Sequence, residues 1–236
     1  MGLDVYVGTL SRYYSGDWET IIQQTSHEQG MEILSVQANE SQRTSLKQDE
    51  EQNSVFNWRR RLSKDLRNKI NIQLDWNESA EAPYFTDKPT WDSYSGLLLW
   101  AAYAEHHDLK IPNNLPNDWS TDPAYQASID ESFQCNYNQL LFDTELWLPC
   151  DFEFTFPVLD VLGNNITIGS TKTLLAQLNN LNDSTWKADK KTLENWLQVG
   201  VERGASLEFH ARFAFSILHE LTKLSVINRL PMKLDY

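Results

Sequence analysis

The sequence is poor in the residues that mark several large protein classes. Only two cysteines, Cys135 and Cys150, occur in 236 residues. That excludes a disulfide-dense secreted scaffold and predicts a reduced intracellular pair, with a single disulfide between them left open. Nine glycines and eight prolines are too few for a fibrous or low-complexity chain. No apolar run approaches the roughly 20 residues that span a bilayer; the longest, Leu97–Ala104, is far shorter. No basic region followed by an apolar stretch opens the chain, so no signal peptide is expected. Met1-Gly2 is followed by Tyr6 where a myristoylation motif carries Ser or Thr. A cytoplasmic protein with no membrane partner is the expectation.

Catalytic signatures are missing too. There is no Gly-x-Ser-x-Gly elbow, no P-loop and no Gly-x-Gly-x-x-Gly, so the common hydrolase and nucleotide-binding folds lose their main support. His219-Glu220 is followed by Lys223 rather than a second histidine, which excludes a zincin. Glu105-His106-His107-Asp108 resembles a metal cluster, but neighbouring helical residues point about 100° apart and rarely share one ion. Neither cysteine sits in a nucleophile context. No catalytic residue, metal or cofactor is therefore expected, although active sites assembled from distant residues escape such a search.

The most informative scarcity is of positive charge. Residues 71–171 hold sixteen acids against two bases, Lys88 and Lys110. Between Ile111 and Thr171 there is no Lys or Arg, against nine acids: Asp118, Asp122, Asp130, Glu131, Asp143, Glu145, Asp151, Glu153 and Asp160. A field of one sign repels nucleic acid and accelerates encounter with a basic protein. Solvation, or pairing with the chain's own Arg59, Arg60, Arg61, Lys64, Arg67 and Lys69, accounts for the same acids. Arg60, Lys64 and Arg67 follow helical spacing and share a face.

The residues present predict an α+β fold, mainly helical, in a single domain over 1–236 with a small β-sheet. Leu3–Val7 reads as a strand. Ser15-Gly16-Asp17 offers a cap for a helix bearing Trp18, Ile21, Ile22 and Thr25, stopped at Gly30. Glu32–Val36 reads as a second strand, parallel to the first through a right-handed crossover. Asn39–Asn53 is a polar loop, and Ser54 caps a helix through Lys69. Asn71–Asp75 suggests a short strand and Asn77–Pro89 irregular chain. Thr90–His107 is the strongest helix, with Trp91, Tyr94, Leu97, Leu98, Ala101 and Ala104 on a broad apolar face. Ile111–Pro123 is a loop and Ala124–Cys135 a helix; Leu140–Leu148 fits either type. Phe152–Phe156 alternates as a strand, and Gly163-Asn164-Asn165 turns it into Ile166–Ile168. Helices follow from a Ser170 or Thr171 cap, over Thr192–Val199 and over Leu207–Ile227, where His210 reads as a hydrogen-bonded core histidine.

Two segments combine large aromatics with carboxylates, a mixture suited to recognition because Tyr and Trp bury much area at low entropy cost. One holds Tyr13, Tyr14, Asp17 and Trp18; the other holds Tyr84, Asp87, Trp91 and Asp92. Helix capping and core packing use the same residue types. With Asp118, Asp122, Asp130 and Glu131 they make the candidate binding set. The opening Met1–Gly8, the Tyr84–Asp92 segment and the closing Leu234-Asp235-Tyr236 resemble a family of uncharacterised bacterial proteins. The resemblance runs the length of the chain and implies no activity or site residue. The expected function is binding of a basic protein, as in an immunity protein that neutralises a cationic toxin. A hydrolase-like enzyme, with Asp4, Asp17, Asp87 or Asp92 beside a histidine in a deep site, is the alternative.

Overall fold

A computed structural model describes residues 2–30, 48–70, 74–130, 133–200 and 204–236. The elements run β1 (Asp4–Val7), α1 (Leu10–Ser15), α2 (Ile21–Glu28), α3 (Gln48–Ile70), β2 (Phe85–Asp87), α4 (Trp91–Glu105), α5 (Pro123–Ser128) and α6 (Asn138–Leu141). Then come β3 (Thr144–Leu148), β4 (Phe156–Leu159), β5 (Asn165–Ser170), α7 (Thr171–Ser184), α8 (Lys190–Val199), α9 (Leu207–Asn228) and β6 (Met232–Asp235). The fold is mixed α+β and mainly helical, as the composition and periodicity predict.

The strands form one sheet in the order β2-β1-β6-β3-β5-β4. Every neighbouring pair is antiparallel except β3 with β5. Side-chain alternation along a strand gives the sheet two faces, and each carries its own core. Val5, Val7, Met232, Leu234 and Trp147 pack with α4, α7 and α9. Leu146, Leu148, Ile166 and Ile168 pack with Val55, Trp58, Leu62 and Leu66 of α3. Full burial of a side chain of this size contributes about 1.5–3 kcal/mol, so the middle strands, buried on both faces, dominate the stability of the sheet.

α4 is buried at every position from Ser93 to Leu99, because it lies at the centre of the helical layer. Its close approach to α9 depends on Gly96, where a Cβ would stand 2.8 Å from the Cβ of His210 and 3.3 Å from the backbone nitrogen of Ala211. Thr90, Ser170, Asp189 and Ser206 each accept a backbone N–H at a helix start, as short polar side chains do at N-caps.

Several boundaries depart from the sequence expectation. Ser15-Gly16 ends a helix instead of starting one: Gly16, at φ 72°, is the left-handed cap of α1 and donates its N–H to Tyr13 O. α2 starts after Thr20, which forms a capping box with Gln23. Trp18 therefore lies between helices, outside any first turn. α3 begins at Gln48, ahead of Ser54, because residues 48–53 contain no helix breaker and continue a helix that Val55 and Trp58 anchor. β2 lies inside the stretch expected to be irregular, and Leu74 and Asp75 form no strand. α5 stops at Ser128, short of Cys135. Phe152 and Phe154 precede β4; they and Phe156 pack on one another with ring centroids 5.3, 5.8 and 5.7 Å apart, so their alternation marks an aromatic cluster. The hairpin from β4 to β5, turning at Gly163 with φ 87°, is as expected. The strand placed at 32–36, its parallel crossover and the loop at 39–47 lie outside the described residues, as do 71–73. Both cysteines are free thiols.

Candidate functional site

The two aromatic segments diverge in the structure. Tyr6 of β1 is the centre of the first cluster, with Tyr13 at 5.4 Å, Trp18 at 4.9 Å and Tyr84 at 6.3 Å between ring centroids; Tyr14 packs on Tyr13 at 5.2 Å. Most of its polar groups are engaged internally. Tyr13 donates to Asp235 Oδ1 at 2.6 Å, Tyr14 to Asp160 Oδ2 at 3.3 Å, and Arg12 to the carbonyls of Ala82 and Ala80 at 2.6 and 2.9 Å. Lys233, 7% exposed, holds its Nζ 5.4 Å from the centre of the Tyr13 ring. Burial lowers the Lys233 pKa, and Glu145, Asp160 and Asp235 oppose the shift. Asp87 is half-buried, which raises its pKa, while Asp17 is exposed. This cluster fastens α1 and the 17–20 segment to the sheet.

Trp91 and Asp92 belong elsewhere. They stand at the mouth of a cleft of about 980 Å³ between the start of α4, the 114–119 loop, the head of β3, the start of α9 and the end of β6. Thr90 accepts the N–H of Ser93 at 3.0 Å, which sets the first turn of α4 and points Trp91 and Asp92 to the rim. Trp91 meets Tyr236 edge-on at 5.2 Å. His210 lies on the α9 wall, where the missing side chain of Gly96 leaves it room. Ser93 Oγ is 3.2 Å from His210 Nδ1, so the expected core histidine is hydrogen-bonded, and it also lines the cleft. Burial lowers its pKa, partly opposed by Asp92.

Asp143, Thr144 and Glu145 line the cleft at the head of β3. A regular strand would send Thr144 to the opposite face from its neighbours. The pairing of β3 with β5 shifts register between Thr144 and Leu146, and Asp143 adopts a left-handed φ of 47°; bulges of this kind re-aim side chains. All three residues consequently reach the cleft. Burial raises the Glu145 pKa, opposed by Lys233 and by a hydrogen bond with Tyr236. Tyr94 and Tyr236 are raised as well, burial leading in both. Thr144 is 1% exposed, and its Oγ1 has no hydrogen-bond partner among the described residues. Asp92, Asp143 and Glu145 line the cleft with Trp91, Trp119 and Tyr236, and no Lys or Arg among the described residues lines it.

The other acids serve varied ends. Asp122 caps α5 through Ala124 N at 2.9 Å and accepts from Tyr103 at 3.1 Å. Asp160 is buried and accepts the N–H groups of Leu162 and Asn164, both at 2.9 Å, in the β4–β5 turn. Asp118 and Asp130 are exposed, and Glu131 lies outside the described residues. Of the basic helix, Arg59 reaches the acidic stretch, donating to Trp76 O at 2.8 Å and standing 3.7 Å from Asp75; Arg60, Arg61 and Lys64 are exposed. His106 packs against Phe133 at 4.7 Å, and no group of three or more metal-ligating side chains occurs among the described residues. No helix among them is long and apolar enough to cross a membrane.

Sequence reasoning flagged Trp91 and Asp92 but gave Asp143, Thr144, Glu145, Trp119 and Tyr236 no place in a site. The available signal was the Asp143-Thr144-Glu145 run in a stretch of ambiguous type that contains no base. No family model, curated protein or solved structure matches this chain.

Proposed function

We propose that the protein binds a basic protein partner, as an immunity protein does when it neutralises a cationic toxin, and that the cleft between α4, α9 and β3 receives it. The observation that carries this reading is the joint lining of one concavity by Asp92, Asp143 and Glu145 and by the aromatics Trp91, Trp119 and Tyr236, with no basic side chain except the histidine among the described residues. Carboxylates of one sign attract and orient a cationic surface, and aromatic pockets supply the anchoring area that concentrates binding energy in a few residues. Burial holds His210 toward its neutral form, so it adds little opposing charge near neutral pH.

The test is direct binding of a purified basic protein, beginning with the product of any toxin gene beside this one, at low and high salt. Asp92→Asn combined with Glu145→Gln should weaken it at least tenfold, and salt should weaken the wild type more than the variant. Equal binding by the two proteins, or no basic protein bound at either salt, defeats the reading.

One observation favours an enzyme instead: Asp92 and His210 share the cleft with a carboxyl group that burial holds toward its protonated form, the pairing that acid–base catalysis uses. Ser93 is no nucleophile, being fully buried with its hydroxyl 2.7 Å from Thr90 Oγ1. Chromogenic glycosides and esters, assayed with wild type and Glu145→Gln, decide it; absence of turnover removes this reading.

A further inference from the structure

We infer that the group seated in the cleft is a guanidinium, the side chain of an arginine that the basic partner displays. The inference rests on the cationic-partner reading and narrows it. The acceptors are distributed: Asp92 stands on α4, Asp143 and Glu145 on the head of β3. A guanidinium carries five donors in a rigid planar fork and can serve several acceptors at once, whereas an ammonium is a compact point charge with three.

Thr144 supplies an independent observation. It lines the cleft at 1% exposure, and its hydroxyl has no hydrogen-bond partner among the described residues. A buried hydroxyl without a partner is uncommon, and a donor-rich ligand would satisfy it. The rim offers flat surfaces as well: Trp91 is 41% exposed and Tyr236 57%, and a guanidinium stacks on such faces. Arginine is also the less strongly hydrated of the two cations, which suits a site where burial already disfavours the charged form of Glu145. The molecule uses the same chemistry internally: the Arg59 guanidinium lies 5.0 Å from the Trp76 ring centre while donating to Trp76 O, and Arg212 lies 5.2 Å from the Trp196 ring centre while paired with Glu208. At about 980 Å³ the cleft exceeds one side chain, so residues flanking the arginine enter with it.

Calorimetry with octa-arginine, octa-lysine and octa-citrulline peptides tests the inference on wild type, Asp92→Asn, Glu145→Gln, Thr144→Val and Thr144→Ser. Octa-arginine should bind at least tenfold more tightly than octa-lysine, and the uncharged citrulline peptide should not bind. Thr144→Val should weaken octa-arginine about five- to tenfold, the worth of one net hydrogen bond, while Thr144→Ser retains it; the two carboxylate variants carry the test if the valine variant does not fold. Octa-lysine binding as tightly as octa-arginine, with both weakened by Asp92→Asn and Glu145→Gln, overturns the guanidinium assignment and leaves the cationic cleft standing. Failure of both peptides to bind, or binding that neither carboxylate variant weakens, overturns the cleft reading together with the assignment.

Discussion

Replacing Glu78 should loosen the first helix more than the loss of an ordinary cap does. Glu78 is 6% exposed and acts as a cap supplied from a distant part of the chain. Oε1 accepts the N–H of Leu10 at 3.0 Å and the indole N–H of Trp76 at 2.5 Å; Oε2 accepts the N–H of Ser11 at 3.1 Å and its hydroxyl at 2.7 Å. In Glu78→Gln one oxygen still accepts, but an amide NH₂ now faces donors. The Ser11 hydroxyl can rotate to accept; the Ser11 N–H cannot. A stranded buried donor costs about 1–3 kcal/mol, and losing the charge from the remaining bonds adds about 1, so a loss of about 2–4 kcal/mol is expected. Thr9→Ala is the comparison: Thr9 caps the same helix through Arg12 N at 3.2 Å, and its loss should cost about 1 kcal/mol. Urea denaturation followed by tryptophan fluorescence and far-ultraviolet circular dichroism measures both, with a common slope showing that the unfolded state is unchanged. A Glu78→Gln protein as stable as Thr9→Ala, or more so, refutes the reasoning.

Three further outcomes follow from particular residues. Asp143→Gly should leave the fold as stable as wild type or about 1 kcal/mol more so, because the left-handed backbone at φ 47° is free to glycine, while cleft binding falls; a matched loss of stability in chemical denaturation would contradict this. Gly96→Ala should destabilise by about 1–3 kcal/mol, since the new methyl would meet His210 at 2.8 Å, and the imidazole proton shifts of His210 should move in the NMR spectrum; an unchanged melting temperature would show that α4 and α9 separate freely. His219, which bonds Asn179 at 2.9 Å, has its pKa lowered from 6.5 to about 4 by burial and then by Lys223. The unfolded chain therefore takes up the proton first. The stabilisation is complete above pH 6.5 and is lost as pH falls toward 4, on the order of 3 kcal/mol. His219→Gln should flatten that stretch of the stability–pH curve, and an unaltered slope would remove His219 from the account.

What could be read from the sequence tracks how strongly local pattern and tertiary environment agree. β1, α4, the β4–β5 hairpin, α7 and α9 were legible because their apolar spacing and caps point the same way. β6 was not: Met-Lys-Leu-Asp is too short a run to show a period, yet Met232, Lys233 and Leu234 are all buried, and Lys233 stands over the ring of Tyr13, far away in sequence. Gly16 misled because a glycine beside a serine suits either end of a helix, and only the left-handed φ decides. Asp122 and Asp160 resembled the remaining acids although both cap local backbone. The cleft was half legible. Trp91 and Asp92 stood out beside a clear cap, whereas Asp143, Thr144 and Glu145 converge through a register shift, which leaves no mark on side-chain spacing.

The position of β6 bears on how the chain is made. It lies between β1 and β3, yet follows every other strand in chain order. During synthesis the pair β2-β1 and the trio β3-β5-β4 leave the ribosome first, each with a bare edge facing the place that β6 will take. Such edges are templates for pairing with another chain. The nascent protein is thus open to mispairing until residues 232–235 arrive, and a ribosome stalled just before them would release an aggregation-prone species with most of its helices already available.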